Sequence, residues 1–138
     1  MEAAYEIRRI KDCSLFIMDT EANTTELSEQ QERYPEFIRL YRQTHPETPY
    51  LDVSRVPVAK ELRQPKIHEK RMATKNFQRE LVEKLRAQGD QNIWFVDGEE
   101  LAQGHFEEYT VDGLHATDLG FYKIAQALEP TIRNLLNL

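Results

Sequence analysis

The sequence has little cysteine and no long apolar run, and each shortage excludes a class of protein. Cys13 is the one cysteine, which excludes an internal disulfide framework and a zinc site built from several cysteines. No apolar segment approaches the roughly 20 residues that a helix needs to span a bilayer. The charged, helix-like start MEAAYEIRRI is also unlike a signal peptide. We therefore expect no membrane span and a cytoplasmic location.

Positive charge is also scarce, because 18 lysines and arginines stand against 24 acidic residues, for a net charge of −6. A nucleic-acid partner is not expected, since it would need a clustered basic face. Segment 66–75 contains several bases, but acidic residues interrupt it and no aromatic ladder accompanies it, so we expect a solvated helix face. With 138 residues, 40% hydrophobic and 30% charged, the composition is typical of one globular domain.

Three short apolar segments indicate β-strands. They are CSLFIMD (13–19), TPYLDVS (48–54) and NIWFVDG (92–98), and the first is expected to be buried on both faces. Because amphipathic helical patterns separate them, the chain predicts a parallel sheet with helices on both faces, a three-layer α/β/α fold. In such sheets ligands bind beyond the carboxyl ends of the strands. Functional residues should therefore follow the three strands and precede the last helix.

The helical patterns have identifiable limits. The first begins after a capping threonine, Thr24 or Thr25, and ends before Pro46. A second helix is predicted over residues 71–88 after a long polar loop, and the final helix is predicted to begin at Thr117. The buried side of the final helix is expected to contain Phe121, Ile124, Ala125, Leu128, Ile132, Leu135 and Leu136.

The strongest local signal is Asp112-Gly113-Leu114-His115, at the turn that enters the final helix. An aspartate three residues before a histidine can accept a hydrogen bond from imidazole Nδ1–H. That bond fixes the tautomer and leaves Nε2 free as a general base toward a nucleophile. The alternative is that Asp112 only closes a turn and His115 is an ordinary surface or packed histidine, which is the commoner outcome for this spacing alone.

The longer segment DGLHATDLGFYKIAQALEP resembles the last block of the SGNH (GDSL-type) hydrolases, where a D-G-x-H turn leads into a helix with a D-x-G-[FY]-like start. The resemblance implies the flavodoxin-like SGNH fold and an esterase or lipase-like acylhydrolase of the Ser-His-Asp type. It makes Asp112 the triad acid and His115 the base. Gly113 would keep the turn tight and Gly120 would allow close helix packing. The resemblance implies neither cofactor nor metal.

Asn23 follows the first strand, where the oxyanion asparagine of this family lies. The resemblance implies that its side-chain amide donates a hydrogen bond to the tetrahedral intermediate, a contribution of about 3–4 kcal/mol in comparable enzymes. The connection HPETP at 45–49 also resembles the family. The common G-x-N-D form is missing, however, because the chain has DTEAN at 19–23. The alternative is an asparagine that caps the next helix.

The family's nucleophile has no counterpart in this sequence. The family begins with a strand that ends in a G-D-S-like turn, and a second strand supplies a glycine N–H for the oxyanion hole. This chain contains no G-D-S, and no glycine precedes Gly89. None of the other serines is the expected nucleophile. Ser14 begins a predicted buried strand and Ser28 lies on a predicted helix, while Ser54 is at the correct end of the sheet but lacks the glycines of a nucleophile elbow. We expect residues 1–138 to be the latter two-thirds of one domain, truncated at the N-terminal side.

Functions from different classes remain open. The first is a hydrolase of small-molecule esters, such as an acylated sugar or lipid, whose serine comes from elsewhere. The second is a non-catalytic interaction domain that uses an unpaired sheet edge to form a homo-oligomer or to bind a complementing N-terminal fragment. A flavodoxin-like binding domain is less favoured, because no phosphate loop follows the first strand. A metal site of His105, Asp112 and His115 is also disfavoured, because the spacing matches no common ligand motif.

Overall fold

The fold is described from a computed structural model, which defines residues 2–24, 26–102 and 104–138. Thr25, one of the two predicted cap residues, lies outside these ranges. The helices and strands of the described residues are α1 (Glu2–Ile7), β1 (Phe16–Met18), α2 (Leu27–Arg42), β2 (Tyr50–Val53), α3 (Pro65–Ala87), β3 (Ile93–Val96), α4 (Gly98–Leu101) and α5 (Asp118–Leu136). Short 3-10 helices cover Glu21–Asn23, Ala59–Leu62 and Phe106–Tyr109.

The three strands form one parallel sheet in the order β1-β2-β3. The central strand, β2, is buried along its whole length. At the edge, Ile17 in β1 is 39% exposed. The prediction that the first strand is buried on both faces is therefore wrong, because no strand of the described chain pairs with its outer side.

Helices cover both faces of the sheet, which confirms the predicted three-layer α/β/α class. On one face α2 and α3 contribute large side chains such as Ile38 and Leu81, which pack against Tyr50 and Ile93 of the strands. On the other face α5 packs aliphatic side chains against Leu51 and the rest of that surface. Burial of apolar side chains on both faces is the main favourable contribution to the stability of such a layer arrangement.

The buried side of α5 is narrower than the sequence pattern predicts. Ile124, Leu128 and Ile132 pack against the sheet, but Phe121 is 65% exposed and Ala125 is also exposed. The prediction is wrong for these two residues, because neither packs into the hydrophobic clusters on the two faces of the sheet. No helix in the described ranges combines the length and apolar character that a membrane crossing requires.

The helix α3 begins six residues earlier than predicted, at Pro65 instead of residue 71. A proline at the first helical position costs little, because its missing N–H would have no partner there. The predicted polar loop before it also contains the 3-10 helix Ala59–Leu62. Similarly, α2 has Glu26 at its N-cap, and the Thr24 hydroxyl instead donates to Glu21 O at 3.0 Å.

Candidate active site

The turn at residues 112–115 is built around the Asp112 carboxylate. Asp112 Oδ1 accepts hydrogen bonds from Leu114 N at 2.9 Å and from His115 N at 2.8 Å. Asp112 Oδ2 accepts from His115 Nδ1 at 2.7 Å. Gly113 has φ of +85°, a left-handed conformation that favours glycine. The sequence around the turn thus folds so that one carboxylate receives three N–H groups.

These donors determine the electrostatics of the pair. The backbone N–H of His115, its ring N–H and the backbone N–H of Leu114 hold the pKa of Asp112 well below its usual range. Because Nδ1 donates to the carboxylate, Nε2 is the basic nitrogen of the neutral ring. Nε2 has no hydrogen-bond partner among the described residues. The His115 side chain is 79% exposed, so an incoming group can reach it.

The start of α5 is fixed by Thr117 and Gly120. The Thr117 side chain accepts a hydrogen bond from Gly120 N at 3.1 Å, which caps the helix. A Cβ at Gly120 would lie only 2.4 Å from Tyr109 O, so this position requires a glycine. Thr117 N also donates to Tyr109 O at 2.7 Å. The helix start is therefore held tightly against the 3-10 helix Phe106–Tyr109, which positions the preceding turn.

Asn23 ends the 3-10 helix that follows β1, and its side chain is exposed. It does not cap α2, because Glu26 occupies that position. Asn23 and His115 line the same cleft, which has a volume of about 950 Å³ at the carboxyl ends of β1 and β2. Burial raises the pKa of Asp19 and of Glu21 at the same strand end, against the opposing effect of Arg55.

The serines occupy three different environments. Ser14 is exposed and precedes β1, so the prediction that it begins a buried strand is wrong, and Ser28 lies on α2 as predicted. Ser54 lines the cleft but is 1% exposed, and its Oγ accepts a hydrogen bond from Gly98 N at 2.9 Å. A Cβ at Gly98 would lie 2.3 Å from Ser54 O, so the two backbones are in close contact. The hydroxyl of Ser54 therefore joins the end of β2 to α4.

His105 does not join the turn in a metal site. Its Nδ1 lies 3.2 Å from Glu107 Oε1, and the side chain is largely exposed. Within residues 2–24, 26–102 and 104–138, no three potential ligands among histidine, cysteine, aspartate and glutamate are grouped as a metal site would need.

Segment 66–75 departs from the predicted solvated face. Arg71 and Lys75 are buried, and Arg71 forms a bidentate pair with Glu61 at 2.8 and 3.1 Å. Lys75 contacts Asp97 at 3.1 Å and also pairs with Glu99. The prediction is wrong for these two side chains, because acids from distant segments compensate their charge. The four-residue spacing of Arg71 and Lys75 is the one sequence signal that they share a helix face.

Comparisons with known proteins concern the family and the fold of the chain. The sequence model for the GDSL-like lipase/acylhydrolase family matches residues 2–133. A crystal structure from Bacteroides ovatus, described as a GDSL-like lipase, is 29% identical and matches 99% of this chain and 40% of its own, with a TM-score of 0.89. No curated protein matches the sequence closely enough to count as a relative.

Two further structures share the fold. A salicylyl-acyltransferase from a tetracycline biosynthetic pathway matches 96% of this chain and 40% of its own, with 21% identity and a TM-score of 0.75. A mutant acetyl esterase with an acetate ion matches 97% of this chain and 68% of its own, with 14% identity and a TM-score of 0.72. The chain thus spans about 40% of the length of the first two structures.

Proposed function

We propose that this chain, which belongs to the GDSL-like lipase/acylhydrolase family, supplies the base, the orienting acid and an oxyanion donor of a Ser-His-Asp ester hydrolase. The nucleophile would be a serine outside residues 1–138. The observation that carries the proposal is the 2.7 Å hydrogen bond from His115 Nδ1 to Asp112, beside a cleft that Asn23 also lines. In the reaction, His115 Nε2 takes the proton of the serine as its oxygen attacks the acyl carbonyl.

Asp112 suits the role of the orienting acid. A carboxylate that accepts three N–H groups remains ionised at neutral pH, so it can hold the ring in one tautomer and stabilise the imidazolium that forms. The proton then leaves from His115 Nε2 to the departing alcohol. The acyl-enzyme is hydrolysed by a water that His115 activates in the same way.

Asn23 suits the role of the oxyanion donor. Its exposed side chain lies after β1, and it makes no hydrogen bond with any described side chain that would compete with a ligand. An amide N–H directed at the developing negative charge is worth about 3–4 kcal/mol in enzymes that use such a donor.

The substrate we propose is a small-molecule ester such as an acylated sugar or lipid. The matched structures include a salicylyl-acyltransferase and an acetyl esterase, which share the transfer of an acyl group. The cleft is large enough for a small ester, at about 950 Å³.

A second candidate function is supported by the sheet edge. The outer side of β1 lies beside a groove of about 420 Å³ whose lining includes Ile7, Phe16, Ile17 and Phe37. An open apolar edge of this kind pairs readily with another strand. The chain would then be a non-catalytic domain that forms a homo-oligomer or binds a complementing N-terminal fragment through β1.

The first test is hydrolysis of p-nitrophenyl acetate by the chain alone and with a fragment that supplies the first two strands of the family domain and its G-D-S turn. We expect activity only in the mixture. Activity should fall at least about 10³-fold in His115→Gln and remain unchanged in the matched control His105→Gln. Hydrolysis by the chain alone that Ser54→Ala abolishes would contradict the proposed external nucleophile.

Sedimentation of the same samples separates the two candidates. An oligomer that Ile17→Lys dissociates, together with no activity in any mixture, would favour the interaction domain. A well-folded monomer with no affinity for the fragment would argue against it.

A further inference from the structure

One wall of the cleft is basic, although the chain as a whole has a net charge of −6. Five basic and three acidic side chains line the cleft. The basic residues are Arg55, Lys60, Lys66, Lys70 and Arg71, and the acidic ones are Asp19, Glu21 and Glu26. The acidic residues come from the segment after β1, on the side of Asn23. The two signs of charge come from different segments of the chain, although the charges of Arg55 and Arg71 both act on Glu21.

The basic wall is formed mainly by one face of α3. Lys66, Lys70 and Thr74 line the cleft at four-residue intervals, and Arg71 adjoins Lys70, so all four lie toward one side of the helix. Lys66 and Lys70 are exposed and form no ion pair within the described parts of the chain. Their charges are thus available to a ligand.

Arg71 adds a buried donor to this wall. The residue is 3% exposed, and its Nε and Nη2 bind Glu61. Arg71 Nη1 is buried and has no hydrogen-bond partner among the described residues. Buried donors in folded proteins are nearly always satisfied, and an exception needs an explanation. A ligand oxygen that accepts from Nη1 would provide one, because oxyanions form strong hydrogen bonds with a guanidinium group.

The wall begins next to the turn that contains His115. Lys60 N donates to Gly113 O at 3.0 Å, and a Cβ at Gly113 would lie 3.6 Å from Lys60 Cβ. A ligand that binds the wall at one end therefore has His115 within the same cleft for its other end.

We propose that Lys60, Lys66, Lys70 and Arg71, the cationic wall, bind a carboxylate or phosphate group of the ester that is hydrolysed. The substrate is then an anionic ester whose charged end lies along α3 and whose acyl bond lies at His115. The role of the bound group as part of a substrate rests on the proposed function. The binding of the anion does not, because it needs no nucleophile.

The test is a titration of the full chain, followed by backbone amide NMR, with monomethyl glutarate, inorganic phosphate and methyl valerate. Monomethyl glutarate and methyl valerate have similar chain lengths, but only the first is charged at neutral pH. We expect saturable binding of one or both anions, with shifts at the start of α3 and in the turn 112–115, and no binding of methyl valerate. The tighter anion identifies the group as a carboxylate or a phosphate.

Variants that remove positive charge locate the anion-binding site. The double variant Lys66→Gln, Lys70→Gln should raise the dissociation constant of the anion roughly tenfold. The control, Lys11→Gln with Lys84→Gln, removes the same charge from exposed positions outside the cleft lining and should leave the dissociation constant unchanged. Equal loss in both double variants, equal binding of methyl valerate or no saturable binding of either anion would overturn the proposal. Anion binding without hydrolysis in the complemented mixture would overturn the proposed function and leave the anion site standing.

Discussion

Asp52 and Asp112 are both hydrogen-bonded carboxyl groups, but their surroundings drive their pKa values in opposite directions. Asp52 lies on β2 beneath α2 and α3 and is fully buried. Its Oδ1 accepts from Gln78 Nε2 at 3.1 Å and from the Tyr34 hydroxyl at 3.4 Å. Burial nevertheless raises its pKa to about 7. At the exposed turn, three N–H donors lower the pKa of Asp112 far below its usual range.

The difference shows that hydrogen bonds alone do not determine the charge of a carboxyl group. Two neutral donors only partly offset the loss of hydration at Asp52, and its Oδ2 has no partner among the described residues. At Asp112, water remains in contact with the carboxylate, so each N–H donor adds to hydration instead of replacing it. Asp52 therefore has a pKa near neutral pH, whereas Asp112 remains ionised.

The largest effect is expected from Asp52→Asn, which should change how the free energy of unfolding depends on pH. Since the pKa of Asp52 rises from 3.8 to about 7 on folding, the folded state retains a proton that the unfolded chain releases, and stability falls as pH rises from about 4 to about 7. The full difference corresponds to roughly 4 kcal/mol. Relative to the wild type, the asparagine variant should therefore gain up to about that amount between pH 4 and pH 8.

Urea denaturation at several pH values measures this difference. Asp12→Asn is the control, because Asp12 is exposed and makes no ion pair with another described residue. Parallel stability curves for Asp52→Asn and the wild type would contradict the raised pKa.

A smaller effect is expected from Gln78→Leu, which removes one of the two donors to Asp52. The free energy of unfolding should fall by about 1–3 kcal/mol, because the buried carboxyl oxygen loses one of its two donors and keeps only the Tyr34 hydroxyl. The hydrogen bond from Gln78 lowers the pKa of Asp52, so the fall in stability with pH should extend above pH 7. Gln126→Leu on the exposed side of α5 is the control. No change in the position of the pH dependence would show that Gln78 does not act on Asp52.

The smallest effect on stability is expected from Asp112→Asn, because this carboxylate is exposed. Its effect should instead appear in the His115 tautomer, measured by imidazole ¹⁵N shifts above pH 8. The wild-type ring should be mainly Nδ1–H, and the variant should gain the Nε2–H form, with His105 unchanged. Activity in the complemented mixture should fall roughly 10⁴-fold. An unchanged tautomer in the variant would contradict the orienting role of Asp112.

Much of the fold follows from local sequence pattern. The strand segments at 13–19, 48–54 and 92–98 each contain an observed strand, and their alternation with helices correctly predicts the parallel three-layer arrangement. The exposure of Ile17 on the edge strand could not be predicted in this way, because an apolar segment indicates a strand but not which strands lie next to it.

The candidate site also has a local part that the sequence predicts and a long-range part that it does not. The bond between Asp112 and His115 is local, so its spacing predicts it, whereas the catalytic roles of these residues and of Asn23 stay predictions. The buried state of Arg71 depends on Glu61 and Glu99, ten and 28 residues away. Asp52 likewise meets Gln78 only after α3 has folded over the sheet. Long-range charge compensation leaves no periodic signal in the sequence.

Lys60 N donates a hydrogen bond to Gly113 O, so the Lys60 amide can report on the exposed turn. Amide hydrogen exchange at Lys60 requires this bond to open, so its protection factor measures how often the turn that carries His115 separates from the 3-10 helix Ala59–Leu62. Since the same residue belongs to the cationic wall, occupation of the wall should slow that exchange. The mobility of the turn that contains His115 can then be followed without a substrate.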